Sequence, residues 1–145
     1  MADLNTTGNK LSVWHVEDDK SNLNQVIVAL ASNFDYSSNV DYVLFDKNLL
    51  SRASIAMEHS KGETLLKEAD SWHRDLIQLT AQKVVELAKL AMQNGEKKRV
   101  SEEEVISLVR KAVETGAIDS GNLKKGLRRK IGLNIVNVSD THCCR

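Results

Sequence analysis

Three carboxylates stand in a row at Glu17, Asp18 and Asp19, directly after the apolar stretch LSVWHV, and a fourth, Asp46, closes a second such stretch, DYVLF. Carboxylates gathered at strand ends can hold Mg²⁺, a hard cation that takes oxygen ligands, beside a group that accepts a phosphoryl. A second cluster has the opposite charge: Lys124, Lys125, Arg128, Arg129 and Lys130 lie within the seven residues KKGLRRK. On a helix, 124 and 128, and likewise 125 and 129, stack as i,i+4 pairs. The positive charge so concentrated suits phosphate contacts, an acidic protein partner or anionic headgroups. A third group, His142, Cys143 and Cys144, offers metal-ligand chemistry near the end of the sequence.

The acidic cluster and Asp46 resemble, locally, the phosphoacceptor pocket of receiver domains. Spacing excludes that fold. Its carboxylates sit on neighbouring parallel strands, and each parallel crossover takes a dozen or more residues. The 27 positions from Asp19 to Asp46 have room for one helix and one strand, and 62–116 reads as helical, leaving no later strands to carry the remaining partners. Glu17, Asp18 and Asp19 are read instead as a solvated helix start. For His142, Cys143 and Cys144, a structural zinc site would need four ligands, usually from two spaced pairs, and the second pair is missing. Vicinal cysteines are poorly placed to staple a fold, so a reduced, disulfide-free chain is expected. His15, His59 and His73 are scattered. No phosphate loop, dinucleotide fingerprint, nucleophile elbow or HExxH motif occurs. A helix-turn-helix laid over 108–127 would place Lys111, Asn122 and Lys125 in its core, so the standard motif fails. The basic stretch has no evident aromatic stacking residues, and little sequence preference is expected of it.

These clusters need elements to position them. With 145 residues, 41% hydrophobic and 28% charged, the chain has the composition of one ordinary folded domain. Aromatics at 4% leave the core to Leu, Val, Ile and Ala, and the absence of proline suits uninterrupted helices. Net charge is zero but skewed. Residues 1–60 carry four basic and eight acidic side chains, against sixteen and twelve in 61–145. The longest apolar run, VIVALA, is too short to cross a bilayer, and no secretory leader is read.

Residues 11–16 alternate as a short strand, and 18–34 has helix length. The stretch 37–60 reads as helix, with a strand at 41–45 as its rival. Over 62–94, Leu65, Ala69, Trp72, Leu76 and Leu79 recur at heptad spacing. Lys83 breaks the series, and Thr80, Val84, Leu87 and Ala91 resume it in shifted phase, as at a stutter. The expectation is one helix of roughly 45 Å, closed by a left-handed stop at Asn94-Gly95. EKKR (96–99) reads as a charged connector. SEEEVISLVRKAVETG (101–116) carries a capping box from Ser101 to Glu104, three glutamates at the positive dipole end and a terminal glycine. Its apolar stripe includes Val105, Val109 and Val113. A basic helix over 122–132 follows, and LNIVNV (133–138) has strand composition.

The expected fold is mainly α: a helical bundle around the 62–94 rod, with a two-stranded ribbon pairing the N- and C-terminal segments. Its domain would span 10–138, between flexible ends at 1–9 and 139–145. The expected function is that of a non-enzymatic, cytoplasmic regulatory or adaptor protein without cofactor. It would act by helix-mediated self-association or partner binding, with Leu65, Trp72, Leu76, Leu79, Leu87, Val105, Val109 and Val113 supplying core or interface. The alternative is a nucleic-acid-binding protein using Lys124, Lys125, Arg128, Arg129 and Lys130. No membrane partner is expected.

Overall fold

The structure, a computed structural model, describes residues 9–132. It is mixed α/β and corrects the expected helical bundle. Strands β1 (Leu11–Trp14), β4 (His73–Ile77) and β3 (Ala56–His59) form an antiparallel sheet in that order, and β2 (Val40–Leu44) pairs antiparallel with β5 (Glu96–Val100). The helices are α1 (Leu23–Ala31), α2 (Asn48–Arg52), α3 (Ala81–Asn94), α4 (Glu102–Glu114) and α5 (Lys125–Lys130). None is long and apolar enough to cross a membrane.

The expected 62–94 rod is three elements. Lys67–Trp72 is a 3₁₀ turn, His73–Ile77 is the central strand β4, and only Ala81–Asn94 is α-helix. The shift in apolar phase marks the boundary between strand and helix. Gln78 turns the chain with a φ of 54°, and Thr80 is extended and caps α3 by accepting the Lys83 N–H. Leu76 is therefore a strand residue and Leu79 lies beyond the turn, although their spacing imitates a helix. Over 37–60 the rival reading is nearer: β2 occupies Val40–Leu44, followed by the single-turn α2 and the exposed edge strand β3.

EKKR is strand β5 rather than a connector, and its Arg99 grips the cross-strand Asp41 through two hydrogen bonds of 2.6 and 2.8 Å. Gly95, after α3, is extended (φ −86°, ψ 155°) and not left-handed. Glycine is required there by close approach, because a Cβ would lie 2.6 Å from Val43 Cγ1 and 2.9 Å from the Leu44 carbonyl. Helix α4 forms where its signals agree. Ser101 Oγ accepts the Glu104 N–H at 3.3 Å, and Gly116 ends it with φ +75°. The N-terminal half of the expected ribbon pairs elsewhere, since β1 runs along β4 with Leu11 opposite Leu76 and Trp14 opposite His73. Its other half, 133–138, lies outside the described residues, as do 1–8 and the tail 139–145.

Two apolar cores result. In the first, Ile27, Val28, Ala29 and Ala31 of α1 meet Val105 and Val109 of α4, Leu127 of α5, and Val40 and Val100 of the two-stranded sheet. In the second, Leu49 and Leu50 of α2 and Leu87 and Leu90 of α3 pack on Leu76. Next to Ala69 of the first core, Asp70 is buried; its carboxylate accepts the Thr64 N–H at 2.8 Å and lies 2.8 Å from the Thr64 hydroxyl, which is equally close to the Leu66 carbonyl. Burial pushes that carboxyl up, but the two Thr64 bonds and Lys67 outweigh it and hold Asp70 below the usual range.

Candidate functional site

The basic cluster rests on a short amphipathic scaffold. Leu123, Leu127 and Ile131, spaced by four, are all 2% exposed or less and pin α5 to the first core. That places Lys125 and Arg129, about 180° around the helix, on its outward face. Lys124 precedes the first turn, and Arg128, Arg129 and Lys130 occupy the last turn, where cations favour the negative end of the helix dipole. Two of the five charges already have carboxylate neighbours. Lys130 Nζ lies 3.3 Å from Glu102, and Lys124 Nζ lies 3.8 Å from Asp35. The Ser37 hydroxyl, at 2.6 Å, together with Lys130 holds the Glu102 carboxyl below its usual range. Lys125, Arg128 and Arg129 have no carboxylate partner among the described residues. Arg128 is half-buried, and its Nε is shut off from solvent with no hydrogen-bond partner.

A feature that no local pattern signals lies beside these cations. The segment after α1 brings Tyr36 onto α5 at Gly126, where a Cβ would lie 2.8 and 2.9 Å from the ring's Cδ1 and Cε1. The Asp35 carbonyl would lie closer still, so a side chain at 126 would displace the 35–36 backbone together with the ring. Neighbours of Gly126 on the helix surface are Arg129 and Lys130, three and four residues on, so the phenol sits at the edge of the positive face. Tyr36 is nevertheless 75% exposed, and Phe34, two residues earlier, is 44% exposed. Some 90 residues separate Tyr36 from Gly126, which hides the pairing from any reading of KKGLRRK alone.

The apolar residues offered by sequence as core or interface divide between the two cores. Leu76, Leu79 and Leu87 are buried in the second, while Val105 and Val109 are buried in the first, with Leu65, Trp72 and Val113 half-buried against it. The exposed apolar side chains of α3 are others, Val85 and Met92, one heptad apart.

The acidic cluster opens onto a shallow depression of about 720 Å³ lined by Glu17, Asp18, Asp19, Gln25, Glu68 and Trp72, among others. Its polar groups shape the start of α1. Asp19 accepts the Ser21 N–H at 2.9 Å, and Asn22 accepts the Glu17 N–H at 2.9 Å while donating to the His15 carbonyl. Asp46 turns the chain into α2 in the same way, accepting the Asn48 N–H at 2.7 Å. Among the described residues, no three His, Cys, Asp or Glu side chains are placed to hold a metal.

One further constellation escaped the sequence reading. Ser60 Oγ lies 2.8 Å from His73 Nδ1, and Asp75 Oδ1 lies 3.9 Å from Nε2. The residue types are those of a hydrolytic triad, but the carboxylate is beyond hydrogen-bond reach of the imidazole. Asp75 instead accepts the Ser12 hydroxyl at 3.2 Å and faces Lys10, and the His73 ring meets Trp14 edge-on at 5.0 Å. The group ties β3, β4 and β1 together at one end of their sheet. No family model, curated protein or solved structure matches this chain.

Proposed function

We propose that this is a non-enzymatic, cytoplasmic binding protein whose working surface is the outward face of α5, and that its ligand is a nucleic acid. The observation that carries the reading is the pair of cations on that face, Lys125 and Arg129, with the half-buried Arg128 beside them, all held on one short helix without carboxylate partners among the described residues. Cations so placed release condensed counterions when they meet phosphates, which is the main source of sequence-independent nucleic-acid affinity. Asp35 and Glu102, at the margins, offset only Lys124 and Lys130. The exposed Tyr36 favours nucleic acid over a purely acidic polypeptide, because a base has an aromatic face to offer and a carboxylate has none.

The test is fluorescence anisotropy with labelled oligonucleotides at low salt, comparing the unmodified chain with a Lys125→Gln/Arg129→Gln variant, and polyglutamate as competitor. Binding that falls about tenfold or more in the variant supports the reading. Binding that survives the change places the site elsewhere, and polyglutamate that competes as well as nucleic acid makes the partner an acidic protein.

Helix-mediated association, the adaptor reading, retains one specific support in the exposed Val85 and Met92 of α3, which would meet a second copy of the same helix. Light scattering checks it: a dimer that Val85→Ser abolishes supports this reading, and a monomer at all concentrations removes it.

A further inference from the structure

We infer that the nucleic acid is single-stranded and that one of its bases stacks on Tyr36 while its phosphates follow Lys125 and Arg129. The inference rests on the reading of α5 as a nucleic-acid surface and adds the class of strand. Three observations carry it. First, Tyr36 packs against the backbone of α5 at Gly126 and is still 75% exposed, so a large apolar ring is presented to solvent beside unpartnered cations. In a duplex the base faces are already stacked on one another and closed to an aromatic side chain. In a single strand they can splay onto one.

Second, α5 has six helical residues, about 9 Å of helix. A major groove is ~12 Å wide and is read by a helix that enters it. This helix is flanked by Asp35 and Tyr36 and held down by Leu123, Leu127 and Ile131, so only one of its faces is free for phosphates. Third, Phe34 adds a second exposed aromatic two residues from Tyr36. Exposed aromatics combined with a basic surface are the composition of sites that bind strands with little sequence preference, and Tyr36 is the ring that lies against α5. DNA and RNA single strands share that chemistry, and the arms below separate them.

The experiment uses the full 145-residue chain and four labelled probes of equal length: oligo-dT, oligo-rU, a DNA duplex and an abasic deoxyribose-phosphate strand, which keeps phosphates and lacks bases. The expected result is that dT or rU, or both, bind between about 5- and 150-fold more tightly than the abasic strand, the range for one stacked base. Whichever of the two binds more tightly identifies the strand. Tyr36→Ala should bring single-strand affinity down to the abasic level and leave duplex and abasic binding unchanged. Tyr36→Phe should keep the preference, because stacking needs the ring and not the hydroxyl. Equal affinity for based and abasic strands overturns the inference while leaving the α5 reading intact. So does a Tyr36→Ala variant, folded by circular dichroism, that binds all four probes like the unmodified chain. Failure of every probe at low salt overturns the α5 reading itself, and the inference with it.

Discussion

The salt dependence of binding can be set from the ion pairs around α5. For a single strand, each neutralised phosphate steepens the plot of log K against log salt by about 0.7. If all five cations of KKGLRRK contacted phosphate, the slope would be about −3.5, and affinity would fall roughly 100-fold between 50 and 200 mM salt. Lys130 and Lys124, however, lie 3.3 and 3.8 Å from Glu102 and Asp35, and shifting them to a phosphate exchanges one anion for another. Three cations remain, giving a slope of about −2 and a fall of roughly 20-fold over the same interval. The assay is anisotropy titration of oligo-dT at four salt concentrations. Lys125→Gln/Arg129→Gln should leave a slope of about −0.7. A slope steeper than about −3 would refute the claim that the margins are already neutralised. A slope near zero, or one the double variant leaves unchanged, would refute phosphate contact by this face.

Other expectations concern the scaffold. Asp70→Ala strips the acceptor from the buried Thr64 N–H, while the Thr64 hydroxyl can still donate to the Leu66 carbonyl, and should cost about 1–3 kcal/mol in urea denaturation. Because the folded Asp70 carboxyl is depressed, its stabilisation is present above roughly pH 4 and is lost as pH falls through the folded value; thermal melts from pH 7 to 2 should show that decline, reduced in Asp70→Asn. Gly126→Ala drives a methyl into the Asp35 carbonyl as well as the Tyr36 ring, so backbone and ring must both shift, and it should cost about 1–3 kcal/mol while weakening single-strand binding more than duplex binding. Val109→Ala, at a fully buried site, should cost about 2 kcal/mol, whereas Val85→Ser on the open face of α3 should stay within about 0.5 kcal/mol in the monomer.

What could be read from residues alone follows from where the signals lie. Helix α4 was legible because its cap, dipole charges, apolar stripe and closing glycine agree within sixteen residues. The 62–94 stretch misled because a 3₁₀ turn, a five-residue strand, a bend and a helix can together place apolar residues every three or four positions. Thr80, a good cap residue three before Lys83, was the local sign of the true helix start. Strand β5 is beyond pattern reading, since Glu96, Lys97, Lys98 and Arg99 are all exposed and period-2 alternation needs one buried face. The positive cluster was visible as a cluster, but its aromatic neighbour depended on the way α1 and α5 pack.

The two cores divide more than apolar side chains. Strand β1 sends Leu11 and Val13 to the second core and Trp14 to the first, while Trp72 and Leu76, at either end of the step into β4, part in the same way. The β1–β4 ladder is thus a seam between two regions, and α5 belongs wholly to one of them. A ligand held by α5 would slow hydrogen exchange in α1, α4 and α5 through mass action on their local opening. Openings confined to α2 and α3 would stay as frequent as before, so the helix carrying Val85 and Met92 would keep its own rhythm of exposure whether or not the basic face is occupied.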